Sequence, residues 1–134
     1  MVSSILENIR DGEPQALVRN LDIFFAGIPY EMKMENENNL HNAIYVLLTL
    51  IGIDVETEVH TSDGRIDLLI ITDAYIYIIK LKFDSDTQSA ITQIEEKGYA
   101  RPYLNDPRRI FLIGANFSSR TRHFDKPEIR EVEK

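Results

Sequence analysis

The sequence contains no cysteine. Disulfides and zinc–thiolate sites are therefore excluded, and a reducing compartment is compatible with the chain. It has no apolar run of about 18 residues, the minimum for a membrane-spanning helix. Its N-terminus lacks a basic stretch leading into an apolar run and a small-residue cleavage site, so no secretory signal is expected. The expectation is a cytoplasmic protein with no membrane partner. No GxxxxGK(S/T) loop is present, so no nucleoside-triphosphate site of that kind is expected. Basic residues are not in excess either: 15 Lys and Arg stand against 22 Asp and Glu, a net charge of −7. That balance argues against a general nucleic-acid coat protein.

What remains is a chain of 134 residues, 43% of them hydrophobic, which suits one domain with one respectable core. Its charge is uneven. Residues 1–67 carry 4 Lys and Arg against 12 Asp and Glu, whereas residues 68–134 carry 11 against 10. A locally basic face in the second half is compatible with this, and so is a mixed, solvated surface.

The apolar periodicity reads as helices, then helix, three strands, helix, strand. Ser4 and Glu7 have capping-box spacing, with a helix ending near Asp11-Gly12. Pro14 suits a first helical turn, and Leu17, Leu21, Phe24 and Ile28 follow at helical spacing until Ile28-Pro29-Tyr30 interrupts. A third helix fits Glu37 to Ile51, with Leu40, Ile44, Leu47 and Ile51 as its stripe and Gly52 as its stop. Asp54 to His60 alternates, with Val55, Thr57 and Val59 on one face of a strand. Turns at Ser62-Asp63-Gly64 and Thr72-Asp73-Ala74 join it to strands at Arg65–Thr72 and Tyr75–Phe83, an antiparallel meander. A helix from Asp86 to about Tyr99 turns Ala90, Ile91 and Ile94 inward, and Ile110–Ala115 reads as a doubly buried strand. The sheet therefore has about four strands, and the final 15 or so residues read as a polar tail.

Asp67 interrupts the apolar series Ile66, Leu68, Leu69, Ile70, Ile71, so its carboxylate needs a partner or a metal. Lys80 and Lys82, two apart in the next strand, share a face. By spacing alone, an ion pair between Asp67 and one of these lysines is the plainer reading.

The ordered set Gly64-Arg65-Ile66-Asp67-Leu68, then Tyr75 through Lys82, then Gln93 through Ala100 with Pro102-Tyr103, resembles the PD-(D/E)XK nuclease superfamily. More narrowly it resembles the nuclease-like domain at the C-terminus of bacterial proteins that begin with an AAA-type ATPase-like domain. The likeness also takes in Ile28-Pro29-Tyr30, the His41 helix and Ile113 to Ser118. It implies an α/β (α+β) fold: a restriction-endonuclease-like αβββαβ core whose mixed sheet is flanked by helices, with extra N-terminal helices. It further implies a helical segment at 1–35 packing on or linking to the core, a nuclease-like domain at 36–120, and a polar tail at 121–134.

By position, Asp67 matches the family's metal-binding aspartate, Lys82 its catalytic lysine and Gln93 its helix glutamine. In active relatives of this kind, Mg²⁺ or Mn²⁺ activates water against a phosphodiester. Lys80 falls where the family has its second acid. A cation there repels a metal ion by several kcal/mol per unit of metal charge at about 4 Å, before screening. The expectation is that Lys80 pairs with Asp67 and that cleavage is impaired, leaving a nucleic-acid or protein binding or regulatory module. The alternatives are an active nuclease with Glu58 or Glu37 as substitute ligand, and a structural self-association domain. Candidate nucleic-acid contacts are His41, Tyr99 and Arg65. Candidate partners are DNA or RNA, an AAA-ATPase-like domain or chain, and a second copy of this chain.

Overall fold

The computed structural model describes residues 2–28, 35–61, 64–85, 91–92, 94–95 and 98–134. Three helices come first: α1 (Val2–Asp11), α2 (Pro14–Ala26) and α3 (Glu37–Leu50). Five strands follow: β1 (Val55–Thr61), β2 (Gly64–Ile71), β3 (Tyr75–Phe83), β4 (Arg109–Ser118) and β5 (His123–Glu131). Strand order in the sheet is β1-β2-β3-β4-β5. Only β3 and β4 run parallel; the other neighbours are antiparallel. This is a mixed sheet of the α+β class, consistent with a restriction-endonuclease-like core. None of the described helices is long and apolar enough to cross a membrane.

Local chemistry explains the helix starts. Asn36 caps α3, its Oδ1 accepting from Asn39 N at 2.9 Å, and Pro14 occupies the first turn of α2. Ser4 does not cap α1, which begins at Val2 and places Ser4 within the helix.

All three helices cover one face of the sheet. Ile5 and Ile9 of α1, Leu17, Leu21 and Phe25 of α2, and Leu40, Ile44 and Leu48 of α3 share a core with Leu68, Ile70, Tyr77, Ile79, Leu81, Phe111 and Phe117. The Tyr77 hydroxyl donates to Ile9 O at 2.7 Å, tying the end of α1 to the sheet, and burial pushes its pKa up. On the opposite face, Ile91, Ile94 and Tyr99 pack on Ile66, Leu69, Ile76, Ile78, Ile110 and Leu112.

The β3–β4 crossover passes through helical residues 91–92 and 94–95. Positions 86–90, 93, 96 and 97 of the expected helix, Gln93 and Ala90 among them, lie outside the described residues, as do Ser62, Asp63, Pro29 and Tyr30. At Gly114 of β4 an added Cβ would stand 2.8 Å from Ile91 N, so only glycine lets the crossover backbone come this close.

Two expectations need correction. The polar tail is in large part a fifth strand, paired with β4 from Ser118↔His123 to Phe111↔Glu131. It reads as a tail because an edge strand needs few apolar residues: Phe124 is its one buried residue, with Ile129 partly buried. Its register shifts between Gly114 and Asn116, where Lys126 has φ 43° and Pro127 needs no ladder donor. The second correction concerns β1. Val55 packs with the helix-side core but Val59 with the opposite cluster, so the expected single face is broken. The break falls at Glu58, whose φ is 52°.

Candidate functional site

The break in β1 has a counterpart in β2. Leu68 and Ile70 face the helices, yet Ile66, which strict alternation would put with them, packs on the other side. The change of face falls at Asp67, opposite Glu58. Pairs on both sides of it, Thr57↔Leu68 and Val59↔Ile66, keep a one-to-one register. Pairing of β2 with β3 also ends here, at Leu68↔Ile79, while β3 continues along β4 as far as Phe83↔Phe117. Asp67 and Lys80 thus sit in the fork where β2 and β3 part.

In that fork Asp67 is 1% exposed and Lys80 is 7% exposed. Lys80 Nζ lies 3.3 Å from Asp67 Oδ1, so the ion pair anticipated from the sequence is present. Asp67 Oδ2 accepts from Leu81 N at 2.9 Å, the side chain standing in for a ladder partner that β2 no longer supplies. From α3, His41 Nε2 comes within 3.6 Å of Asp67 Oδ2, too long for a hydrogen bond, and is a buried atom with no hydrogen-bond partner among the described residues. Lys82, two residues beyond Lys80, is half-buried beside its register partner Asn116.

The structure brings Asp67, Lys80 and His41 together, with Lys82 on the same strand. It does not bring the substitute acids to them. Glu58 turns outward, its side chain 61% exposed and 3.5 Å from Arg65 Nη1. Glu37, in the first turn of α3, makes no polar contact with Asp67 among the described residues. Tyr99 is corrected as a candidate nucleic-acid contact. It is 2% exposed, its hydroxyl accepts from Arg65 N at 3.3 Å, and its ring lies where a Cβ on Gly64 would be, leaving no free face. Arg65 keeps a partly exposed guanidinium.

Sequence reading missed two participants. The Leu81 amide is invisible in a side-chain pattern. Asn116 is buried at 3% and accepts from Ser85 N through Oδ1 at 2.8 Å, pinning the chain as it leaves β3. Next to it, the Ser119 hydroxyl and amide both donate to Asp84, at 2.6 and 2.8 Å, and hold its carboxyl below the usual carboxylate range. A polar residue closing the apolar run Ile110–Ala115 was the available signal for Asn116.

The donor set does not suit the divalent cation that the motif implies. A hard cation needs several oxygen ligands. Here Asp67 is the one carboxylate in the fork among the described residues, its two oxygens are already held by an ammonium and an amide, and that ammonium occupies the position beside Oδ1. Among the described residues no three His, Cys, Asp or Glu side chains are grouped to hold a metal.

Comparison with known proteins agrees with the fold. A curated relative from Azotobacter chroococcum mcd 1, named "Uncharacterized protein in vnfD 5'region", is 32% identical over 106 residues. The match takes in 74% of this chain and 20% of that protein, so the chain spans about a fifth of its relative's length. A family model of the PD-(D/E)XK nuclease superfamily matches residues 35–126, which hold α3, all of β1 to β4 and the Asp67–Lys80–Lys82 set. With that match over most of its length, the chain belongs to the PD-(D/E)XK nuclease superfamily.

Proposed function

We propose that this domain is a cleavage-silent member of its superfamily that acts as a binding or regulatory module for nucleic acid or protein. The observation that supports this reading is the 3.3 Å contact between Lys80 Nζ and Asp67 Oδ1 in the fork. Metal-assisted hydrolysis needs a cation that lowers the pKa of a bound water and shares the charge of the transition state. An ammonium on the Asp67 carboxylate opposes that ion and offers no coordination site. The outward rotation of Glu58 weighs against a substitute ligand set. Among partners, nucleic acid and an ATPase-like domain or chain fit the reading.

Self-association through sheet edges is less favoured. Edge strand β5 carries a bulge with Lys126 and Pro127, and β1 presents Glu56 and Glu58, features that keep an edge from pairing with another.

The test is a cleavage assay on plasmid and single-stranded DNA with Mn²⁺ or Mg²⁺, comparing the protein with Lys80→Glu, each with and without Lys82→Ala. An inert parent and a Lys80→Glu variant that gains metal-dependent cleavage, lost again with Lys82→Ala, is the expected result. A parent that cleaves, and stops on Asp67→Ala, sinks the reading.

A further inference from the structure

Exposed apolar side chains are gathered in one region. Among the described residues, four of the six large hydrophobics that are exposed lie on α3 (Tyr45, Val46 and Leu50) or end β2 (Ile71). Val46 and Leu50, four apart and so on one side of the helix, are 52% and 80% exposed. No Lys, Arg, Asp or Glu occurs between Glu37 and Asp54, so α3 has no fixed charge past its first turn. Two residues beyond Leu50 begins an open groove of about 430 Å³, lined by Leu6 and Arg10 of α1, by Ile53 and Asp54 from the link between α3 and β1, and by Ile71. Its charges are set apart. The end of α1 lies over β3, since a Cβ on Gly12 would stand 2.4 Å from the Tyr75 ring. Asp54 precedes Val55, which pairs with Ile70 on the other side of β2. Arg10 and Asp54 therefore stand on opposite sides of the groove. Both are exposed, and neither makes a hydrogen bond or ion pair among the described residues. Asp73, in the turn before β3, is the remaining charge of the lining, which leaves Arg10 as its one cation among the described residues.

We infer that this face is an interface between two copies of the chain, related by a two-fold axis through the groove. Such an axis lays each side of the groove against the opposite side of the partner's groove. Arg10 then meets the partner's Asp54, and the same pair forms again on the other side of the axis. The uncharged end of α3, with Leu50, is covered beside these pairs. A contiguous exposed apolar surface rimmed by polar groups marks an interaction site. The charges decide its occupant: a second copy supplies both an acid for Arg10 and a base for Asp54 at matching places. Nucleic acid is opposed here by the two acids of the groove. Other faces favour self-pairing less, because a net charge of −7 repels a second copy wherever the surface is acidic, and both sheet edges are guarded. The inference uses no residue of the fork and holds whether or not the domain cleaves.

The test is sedimentation equilibrium of the full chain over a concentration series, with the fold of each variant checked by circular dichroism. The wild type should pass from the mass of one chain to that of two. Leu50→Glu, which would bury a charge without a partner, should raise the dimer dissociation constant about tenfold or more. Arg10→Glu sets like charges against each other across the axis, and so does Asp54→Lys. Each variant alone should be monomeric where the wild type is dimeric. An equal mixture of the two should dimerise again, because both cross-axis pairs regain opposite signs, and so should the double variant. A wild type that stays monomeric throughout overturns the inference and leaves the face to another occupant. A dimer untouched by Leu50→Glu places the contact elsewhere and overturns it too. Charge variants that dimerise as the wild type does, or a mixture that stays monomeric, overturn the two-fold pairing of Arg10 with Asp54.

Discussion

Two of the ion pairs that join strands of this sheet differ in kind. At the rim, Arg109 meets Glu131 through two bonds of 2.8 Å, with its guanidinium over the rings of Tyr75 and Phe111. Each partner shifts the other: the Arg109 guanidinium holds the Glu131 carboxyl below its usual range, and Glu131 raises Arg109. In the fork, Lys80 meets Asp67 at a longer 3.3 Å. The rim pair has the better geometry, but water can replace either partner, so its loss changes little. The inner pair is shut away from water, so removing one partner strands a charge. Burial, more than bond length, decides which pair the fold depends on.

The sharpest way to break that comparison is Lys80→Met. It leaves the Asp67 carboxylate without a cation and should cost about 3–5 kcal/mol, read as a lowered urea midpoint. Asp67→Asn added to Lys80→Met removes the stranded charge and keeps an acceptor for the Leu81 amide, so most of that loss should return. If Lys80→Met is no worse than a surface change, the fork is solvated and the contrast collapses. Next in size is Gly114→Ala, at the register position beside Lys80. Its methyl group would press on the Ile91 backbone and should cost about 1–3 kcal/mol, measured by thermal unfolding.

The smallest effects belong to exposed carboxylates, and their sign follows from the direction of their shifts. The Asp84 carboxyl is lowered by its bonds from Ser119. Its contribution is therefore fully present above the ordinary carboxylate range and is lost as pH falls through the lowered folded value. Asp84→Asn should lie slightly below the wild type in thermal midpoint at neutral pH, and the gap should close in acid. Glu131→Gln, lowered by Arg109, should show the same sign with a still smaller change. A gap that widens on acidification would contradict the assignment for either residue.

The sequence carried much of the fork. An acid inside an apolar strand, and two lysines two residues apart in the next, were enough to expect Asp67 to pair with one of them; the resemblance, which sets Lys80 where the family has its second acid, pointed to Lys80. It did not carry Leu81, because a backbone donor leaves no mark in side-chain chemistry. Tyr99 was ambiguous for a related reason. A tyrosine near a site reads alike whether its ring is free or covered, and the ring rests where Gly64 has no side chain. Strand β5 escaped because its polar side chains face water while its backbone bonds go to β4.

Residue identity by itself determined the helical stripes, the apolar strands and the placing of Asp67, Lys80 and Lys82 within them, since hydrophobic period and side-chain charge are local properties; that an acid is expected at position 80 came from the resemblance. Only the tertiary structure decided what Lys80 does there. The parting of β2 from β3, the change of face at Asp67 with Glu58 at φ 52°, and the crossover pressed onto Gly114 are set by contacts between distant segments. Those contacts exclude water from the fork. A lysine that on a surface strand would be one more solvated charge becomes there the counter-ion of a buried carboxylate.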